Sequence, residues 1–159
     1  MTTITTPIVT QSLDLYADNP VTQLGTTVTG TDGSIFEYVF ALSAISQYNA
    51  VGIDSDGRAS NLTTTLAATV KRVGVAQISI AVSTYGWVQR SGQMRVNVAQ
   101  ACQDFVALFT TATPGVLDDA TISECLVLGM NLVNSTSTAS AVTGIGASPL
   151  QIFPFANPA

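Results

Sequence analysis

Residues 72–99, RVGVAQISIAVSTYGWVQRSGQMRVNVA, alternate apolar and polar positions more clearly than any other part of the chain. Ile78, Ile80 and Val82 alternate with Ser79, Ala81 and Ser83, and Met94, Val96 and Val98 alternate with Arg95, Asn97 and Ala99. A period of two, with one apolar and one mixed face, predicts strands of a half-buried sheet. Tyr85-Gly86 and Ser91-Gly92 interrupt the pattern, so the stretch reads as consecutive strands joined by tight glycine turns.

The same reading extends in both directions. Thr26–Thr29 forms a strand, Gly30-Thr31-Asp32-Gly33 a turn, and Ile35–Phe40 a strand rich in aromatic and β-branched residues. Residues 41–49 are a less regular link. Val51–Ile53 is a short strand, followed by the turn Asp54–Gly57 and by Arg58–Ser60. Residues 61–70 fit a loop or a short helix, with Leu62, Leu66 and Val70 at helical spacing and three threonines opposing it. Cys102, Phe105, Val106 and Phe109 fit helical spacing, while 106–111 also fit a strand. Thr113-Pro114-Gly115 is a turn, 122–133 holds a strand around Leu126–Leu132, and 134–140 is a polar tip. Ala141–Ile145 resumes a strand, and Gly146–Pro149 turns into Leu150–Phe155. Many short strands with glycine at the turns predict an all-β fold, a compact small barrel or sandwich of short antiparallel strands.

Residues 1–24 break this pattern. Ile4, Ile8, Val9, Leu13, Leu15 and Tyr16 are scattered among Thr, Asp and Asn, with Pro7 and Pro20 favouring extended backbone. The expectation is an extended N-terminal arm over 1–24 and a single β-rich domain over 25–159. Ordering backbone costs about 1–2 kcal/mol per residue, so such an arm orders only where its apolar side chains are buried, as on a neighbour.

Composition then narrows the function. Only 9% of the 159 residues are charged, while 47% are hydrophobic. An ordinary soluble domain carries about 25% charged residues, so part of this exterior is expected to be covered by its own copies or by another protein. The net charge is −5 with five basic residues, and only Lys71 and Arg72 are adjacent. Nucleic acid and anionic membrane surfaces both need a basic footprint, so neither is an expected partner. No apolar run approaches the ~20 residues of a spanning helix, and residues 1–16 lack the basic start and apolar centre of a secretory signal. Two cysteines, Cys102 and Cys125, are expected as free thiols of a protein folded in a reducing cytoplasm, with a disulfide the alternative.

Candidate chemistry is sparse. Histidine is absent, which removes the commonest general base and metal ligand from this chain. No phosphate loop occurs, and Gly144-Ile145-Gly146 lacks the rest of a dinucleotide fingerprint. Asp54-x-Asp56-Gly57 resembles the start of a calcium loop, but Thr65 stands where its closing Glu would be, and Asp-Gly is equally a hairpin turn. Nothing singles out a catalytic pair among Asp32, Glu37, Asp54, Asp56, Asp104, Asp118, Asp119 and Glu124. No catalytic residue, metal or cofactor is therefore expected. Tyr85 and Trp87, the single tryptophan, are interface candidates or a ligand platform, and otherwise core-edge aromatics of a hairpin.

Four segments in order carry a resemblance. They are Leu24-Gly25 with Gly30-Thr31-Asp32-Gly33 and Tyr38-Val39; Ala50–Asp54 with Asp56-Gly57-Arg58-Ala59; Val73–Ala76 with Tyr85–Val88; and Leu108–Asp119. Over roughly Leu24–Ile145 the chain resembles the head decoration, or capsid cement, proteins of tailed bacteriophages. The resemblance implies a small β-rich virion protein on the outer face of a capsid, made in the host bacterial cytoplasm. It also implies the major capsid protein and its own copies, commonly as a homotrimer, as partners, and no catalysis. With the arm lying on a neighbour, Ile4, Ile8, Val9, Leu13, Leu15, Tyr16, Tyr85 and Trp87 are the expected interface residues. The competing class is a carbohydrate- or receptor-binding module of a phage fibre or spike, built on exposed Tyr85 and Trp87.

Overall fold

The computed structural model describes residues 18–120, 125–135 and 140–153. Among these residues lie ten strands and one helical turn: β1 (Thr27–Thr29), β2 (Ile35–Ala41), β3 (Ala50–Ile53), β4 (Arg58–Asn61), α1 (Thr64–Ala67), β5 (Arg72–Val75), β6 (Tyr85–Val98), β7 (Ala107–Thr110), β8 (Leu117–Asp118), β9 (Leu126–Leu132) and β10 (Ser140–Phe153). The all-β expectation holds. The ambiguous run after Cys102 resolves to strand β7, and α1 is a single turn whose Leu66 amide donates to the capping Thr63 Oγ1.

Strands β2, β4, β3, β5 and β6 pair in a closed ring, a five-stranded barrel. Val39, Ala41, Val51, Ile53, Ala59 and Val88 fill it, with Ile45, Ala76 and Ile80 from the links. A second circuit of pairing runs β6–β10–β9–β7–β8 and back to β6. Its core holds Met94, Val96, Val98, Leu108, Leu117, Val127, Met130 and Leu132. Ala50, Val73 and Val75 join that second core from β3 and β5, whose alternate residues Val51 and Ile53 face the barrel. Alternation thus makes β3 and β5 a wall shared by two cores. Most pairs are antiparallel, but β2–β4 and β6–β8 are parallel.

Three expected turns are not turns, and the first, Tyr85-Gly86, opens β6. Ser91-Gly92 lies inside β6, where the pairing with β2 slips between Ile35 and Phe36. Gly92 has φ +92°, and a Cβ there would come within 2.2 Å of Ser34 Oγ. The glycine makes a bulge that bends one strand out of the barrel and into the second circuit. Residues 146–149 are likewise absorbed into β10, which slips against β9 between Gly146 and Gln151. The expected strand 78–83 does not form. Ile80 alone makes a bridge, to Ile45, and Val82 points to solvent at a turn where Ser83 has φ +60°. The apolar alternation there finds only the irregular 41–49 link beside it, and alternation without a ladder partner does not make a strand.

One end of the barrel is closed by charge. Glu37 on β2, 1% exposed, forms ion pairs with Arg72 of β5 and Arg90 of β6. Arg72 also donates to the Asp54 carbonyl, and Arg90 Nη2 donates to the Leu150 carbonyl at 2.9 Å. Burial lowers the Arg90 pKa from its ordinary value, against the opposing pull of the Glu37 charge. The arginine stays protonated in this setting. Elsewhere the two parts are joined by amides. Asn97 Nδ2 donates to Asn49 Oδ1, and Asn49 Nδ2 donates to Asn61 Oδ1, both at 2.8 Å.

Removing Glu37 strands two arginines at the barrel mouth, one of them buried. Glu37→Gln is expected to cost about 3–5 kcal/mol of folding stability, the range for breaking a buried pair from one side. Urea unfolding checks this. A loss below about 1 kcal/mol, the size of an exposed surface pair, contradicts it. Gly74→Ala should cost about 1–3 kcal/mol by overpacking, because its Cβ would stand 2.7 Å from Val88 Cγ2 inside the barrel.

Candidate interaction surface

The carboxylates first weighed as chemistry are engaged in structure. Glu37 closes the barrel end. Asp54 Oδ1 accepts from the amides of Asp56 and Arg58, both at 2.9 Å, so this segment is an Asx-type turn. Asp32 accepts from the amide and hydroxyl of Ser34, and these bonds, the amide's first, hold its carboxyl below the ordinary value.

Among the described residues, Cys102, Asp118 and Asp119 are the one group of three whose ligand atoms lie together, within 4.8 Å. They satisfy each other and their own backbone. Cys102 Sγ donates to Asp118 Oδ1 at 3.4 Å, Asp119 N donates to Asp118 Oδ1 at 2.8 Å, and Gln103 N donates to Asp119 Oδ2 at 2.9 Å. The group clamps the loop after β6 onto the end of β8. Burial, helped by the two carboxylates, pushes the Cys102 thiol up to about 12, against the pull of the Asp119 backbone. A thiol in that state is a poor nucleophile at neutral pH. Neither cysteine is bridged.

The predicted interface residues divide sharply. Ile4, Ile8, Val9, Leu13, Leu15 and Tyr16 lie outside the described residues. Tyr85 and Trp87 are brought together on the outer face of β6, opposite Phe40 and Tyr38 of β2. Tyr38 and Trp87 rings are 5.0 Å apart, Phe40 and Tyr85 5.0 Å, and Tyr38 stacks on Tyr85 at 6.0 Å. Tyr85 is half-buried, whereas Trp87 is only 4% exposed and sits as a core-edge aromatic. The Val21 amide donates to the Tyr38 hydroxyl at 3.1 Å, and the Gly25 amide to the Tyr38 carbonyl at 2.8 Å. Residues 21–25 are therefore already tied to β2.

The exposed apolar side chains are others. Phe105 is 76% exposed, Val82 55%, and Leu42 50%. Leu42 and Val82 flank Ala41 and Ser83, which are bonded to each other (Ser83 N to Ala41 O, 2.8 Å), so they mark one end of the barrel. Phe105 holds φ +56° in a loop where Ala101 also has positive φ, and its amide donates to the Leu132 carbonyl at 3.2 Å. A bulky residue held left-handed and open to water is strained locally without any gain from burial. Helical or strand spacing at 102–109 gave no hint of this, because the loop conformation comes from the contacts with β8 and β9. No helix among the described residues is long and apolar enough to cross a membrane.

The raised Cys102 pKa has a sign that can be checked. A proton held more tightly in the folded state makes stability fall as pH rises from the thiol's ordinary 9.0 toward about 12. Below pH 9 that contribution is complete. Cys102→Ala should flatten the decline of unfolding free energy over this window relative to the parent chain. An identical slope in both overturns the assignment.

Neither a protein-family model, nor a curated protein, nor a solved structure matches this chain. What its surface is for rests on the residues described above.

Proposed function

We propose that this chain is a structural protein of a bacteriophage virion, binding the outer surface of the assembled capsid and stabilising it. The observation that carries the reading is a stiff all-β frame that holds Phe105, Val82 and Leu42 out to solvent on a chain with 9% charged residues. Such apolar side chains gain about 25 cal/mol per Å² when a partner covers them. The four segments that resemble decoration proteins fall on coherent units, which supports the reading. These units are β1–turn–β2, β3–turn–β4, β5 with the start of β6, and β7–turn–β8.

The mechanism is linkage. A protein that binds the assembled lattice better than loose subunits stabilises the assembled state. Several contacts per multimer, a homotrimer in this reading, make complete release rare even where each is weak. The major capsid protein supplies the apolar surface that Phe105 covers, within the ~1,600 Å² of a standard interface. A glycan-binding reading needs an open aromatic platform at Tyr85 and Trp87, and a Trp87 that is 4% exposed does not offer one.

Deleting residues 2–20 should leave the β fold intact by circular dichroism and lower the occupancy of purified capsids stripped of this protein. Unchanged occupancy removes the arm from the interface. Phe105→Gly should raise the stability of the free chain by about 1 kcal/mol, by relieving the left-handed phenylalanine, while weakening capsid binding. Binding at parental affinity rules Phe105 out as an anchor, and strong signals on a glycan array with none on capsids would favour the fibre or spike reading.

A further inference from the structure

Strand β1 is the only strand among the described residues that pairs on one side alone. Its register fixes which backbone groups are left. Tyr38 N donates to Thr26 O at 2.9 Å, and Gly30 N donates to Ser34 O at 2.7 Å. In an antiparallel ladder, bonded pairs recur every second residue. Between those two pairs, Val28–Phe36 is therefore the bonded pair, and Thr27 and Thr29 turn their N–H and C=O groups away from β2. Both threonines are exposed, with Val28 half-buried between them.

Natural edges are normally blunted by lysine, proline or a bulge. Gly25–Gly30, GTTVTG, carries no charge and no proline. The edge is a template left open, and the chain contains a segment suited to it. Thr2–Thr10, TTITTPIVT, has the same Thr/Ile/Val composition, which favours extended pairing. Its alternation also suits an added strand: Ile4, Thr6 and Ile8 share one face and one bonding direction, and Pro7, which lacks an N–H, falls in the opposite set. A strand bonded through its even-numbered residues leaves Pro7 on its outer edge, where a missing donor costs nothing. The eight steps from Thr10 to Asp18 span up to about 28 Å when extended.

We propose that the outer edge of β1 accepts the segment Thr2–Thr10 of a second copy of this chain, adding a strand beside Thr27–Thr29. Each copy then gives one strand and receives one, a head-to-tail contact that closes into a ring when the rotation between copies allows. Backbone bonds supply the affinity, and in a parallel pairing the even-numbered Ile4 and Ile8 share the face of Val28 and Phe36. The contact needs no capsid, so it stands or falls separately from capsid binding.

Sedimentation of the full chain in the absence of capsids tests it. The parent should sediment as a multimer. Thr29→Pro removes only an outward-facing donor, and it should sediment near the 16.5 kDa of one chain with an unchanged far-UV spectrum. A chain lacking residues 2–10 should also be monomeric. Mixing the two variants should restore a 1:1 pair, because one keeps the open edge and the other keeps the donor segment. If Thr29→Pro does not fold, the double variant Thr27→Lys, Thr29→Lys takes its place, with the same expectation. A monomeric parent overturns the proposal. So does a multimer that survives loss of either element, which would point to another interface, or a mixture that forms no pair.

Discussion

The fold depends most on a carboxylate that water cannot reach. Glu37 joins β2 to β5 through Arg72 and to β6 through Arg90. Through the Asp54 and Leu150 carbonyls the same two arginines hold the β3–β4 turn and β10. Five elements therefore meet at one charged cluster. Replacing such a cluster with apolar groups is often neutral, but losing one member is not. The cluster constrains which strands can neighbour each other more than it adds stability, since an alternative pairing would leave Glu37 or Arg90 buried alone.

That constraint works with the bends. β6 and β10 are each 14 residues long and each serves two neighbourhoods. Gly92 takes β6 from the barrel into the second circuit, and Arg90 and Ser91, just before it, are buried where the circuits meet. β3 and β5 present alternate residues to the two cores, so a change at Val51 or Val75 is felt on opposite sides of one wall. Rigidity follows from this sharing. Phe105, Leu42 and Val82 stand in water outside both cores.

The surface carries few reactive groups among the described residues. Among the described residues only Glu37 and Arg90 are buried charges, and the carboxylates of Asp32 and Asp54 are engaged with their own turns. Amide-rich links, exposed threonines, isolated apolar anchors and one open strand edge remain. Each suits contact with another protein surface better than turnover of a small molecule.

Much of this was legible in the residues. Alternation at Ile35–Phe40 and Met94–Val98 reports strands with one buried face, and Thr-Asp-Gly and Asp-Ser-Asp-Gly report turns, because both signals are local steric and burial preferences. The absence of histidine removed most catalytic arrangements before any fold was known. The failures share one cause. Ser91-Gly92 and Gly146–Pro149 look like chain reversals, yet a glycine before a polar residue permits a bulge as readily as a turn, and only the partner strands choose. Ile78–Val82 has the alternation of a strand but no neighbour to ladder with. The role of Glu37 was invisible because Arg72 and Arg90 lie 35 and 53 residues away, and the helical spacing of Phe105 with Cys102 and Phe109 gave no sign of the backbone that contacts with distant strands impose. The sequence by itself determined the strand class, the turns and the scarcity of reactive groups. The tertiary structure alone decided which strands bend rather than turn, which charges are buried together, and which apolar side chains are left in water, since each of those follows from partners remote in the chain.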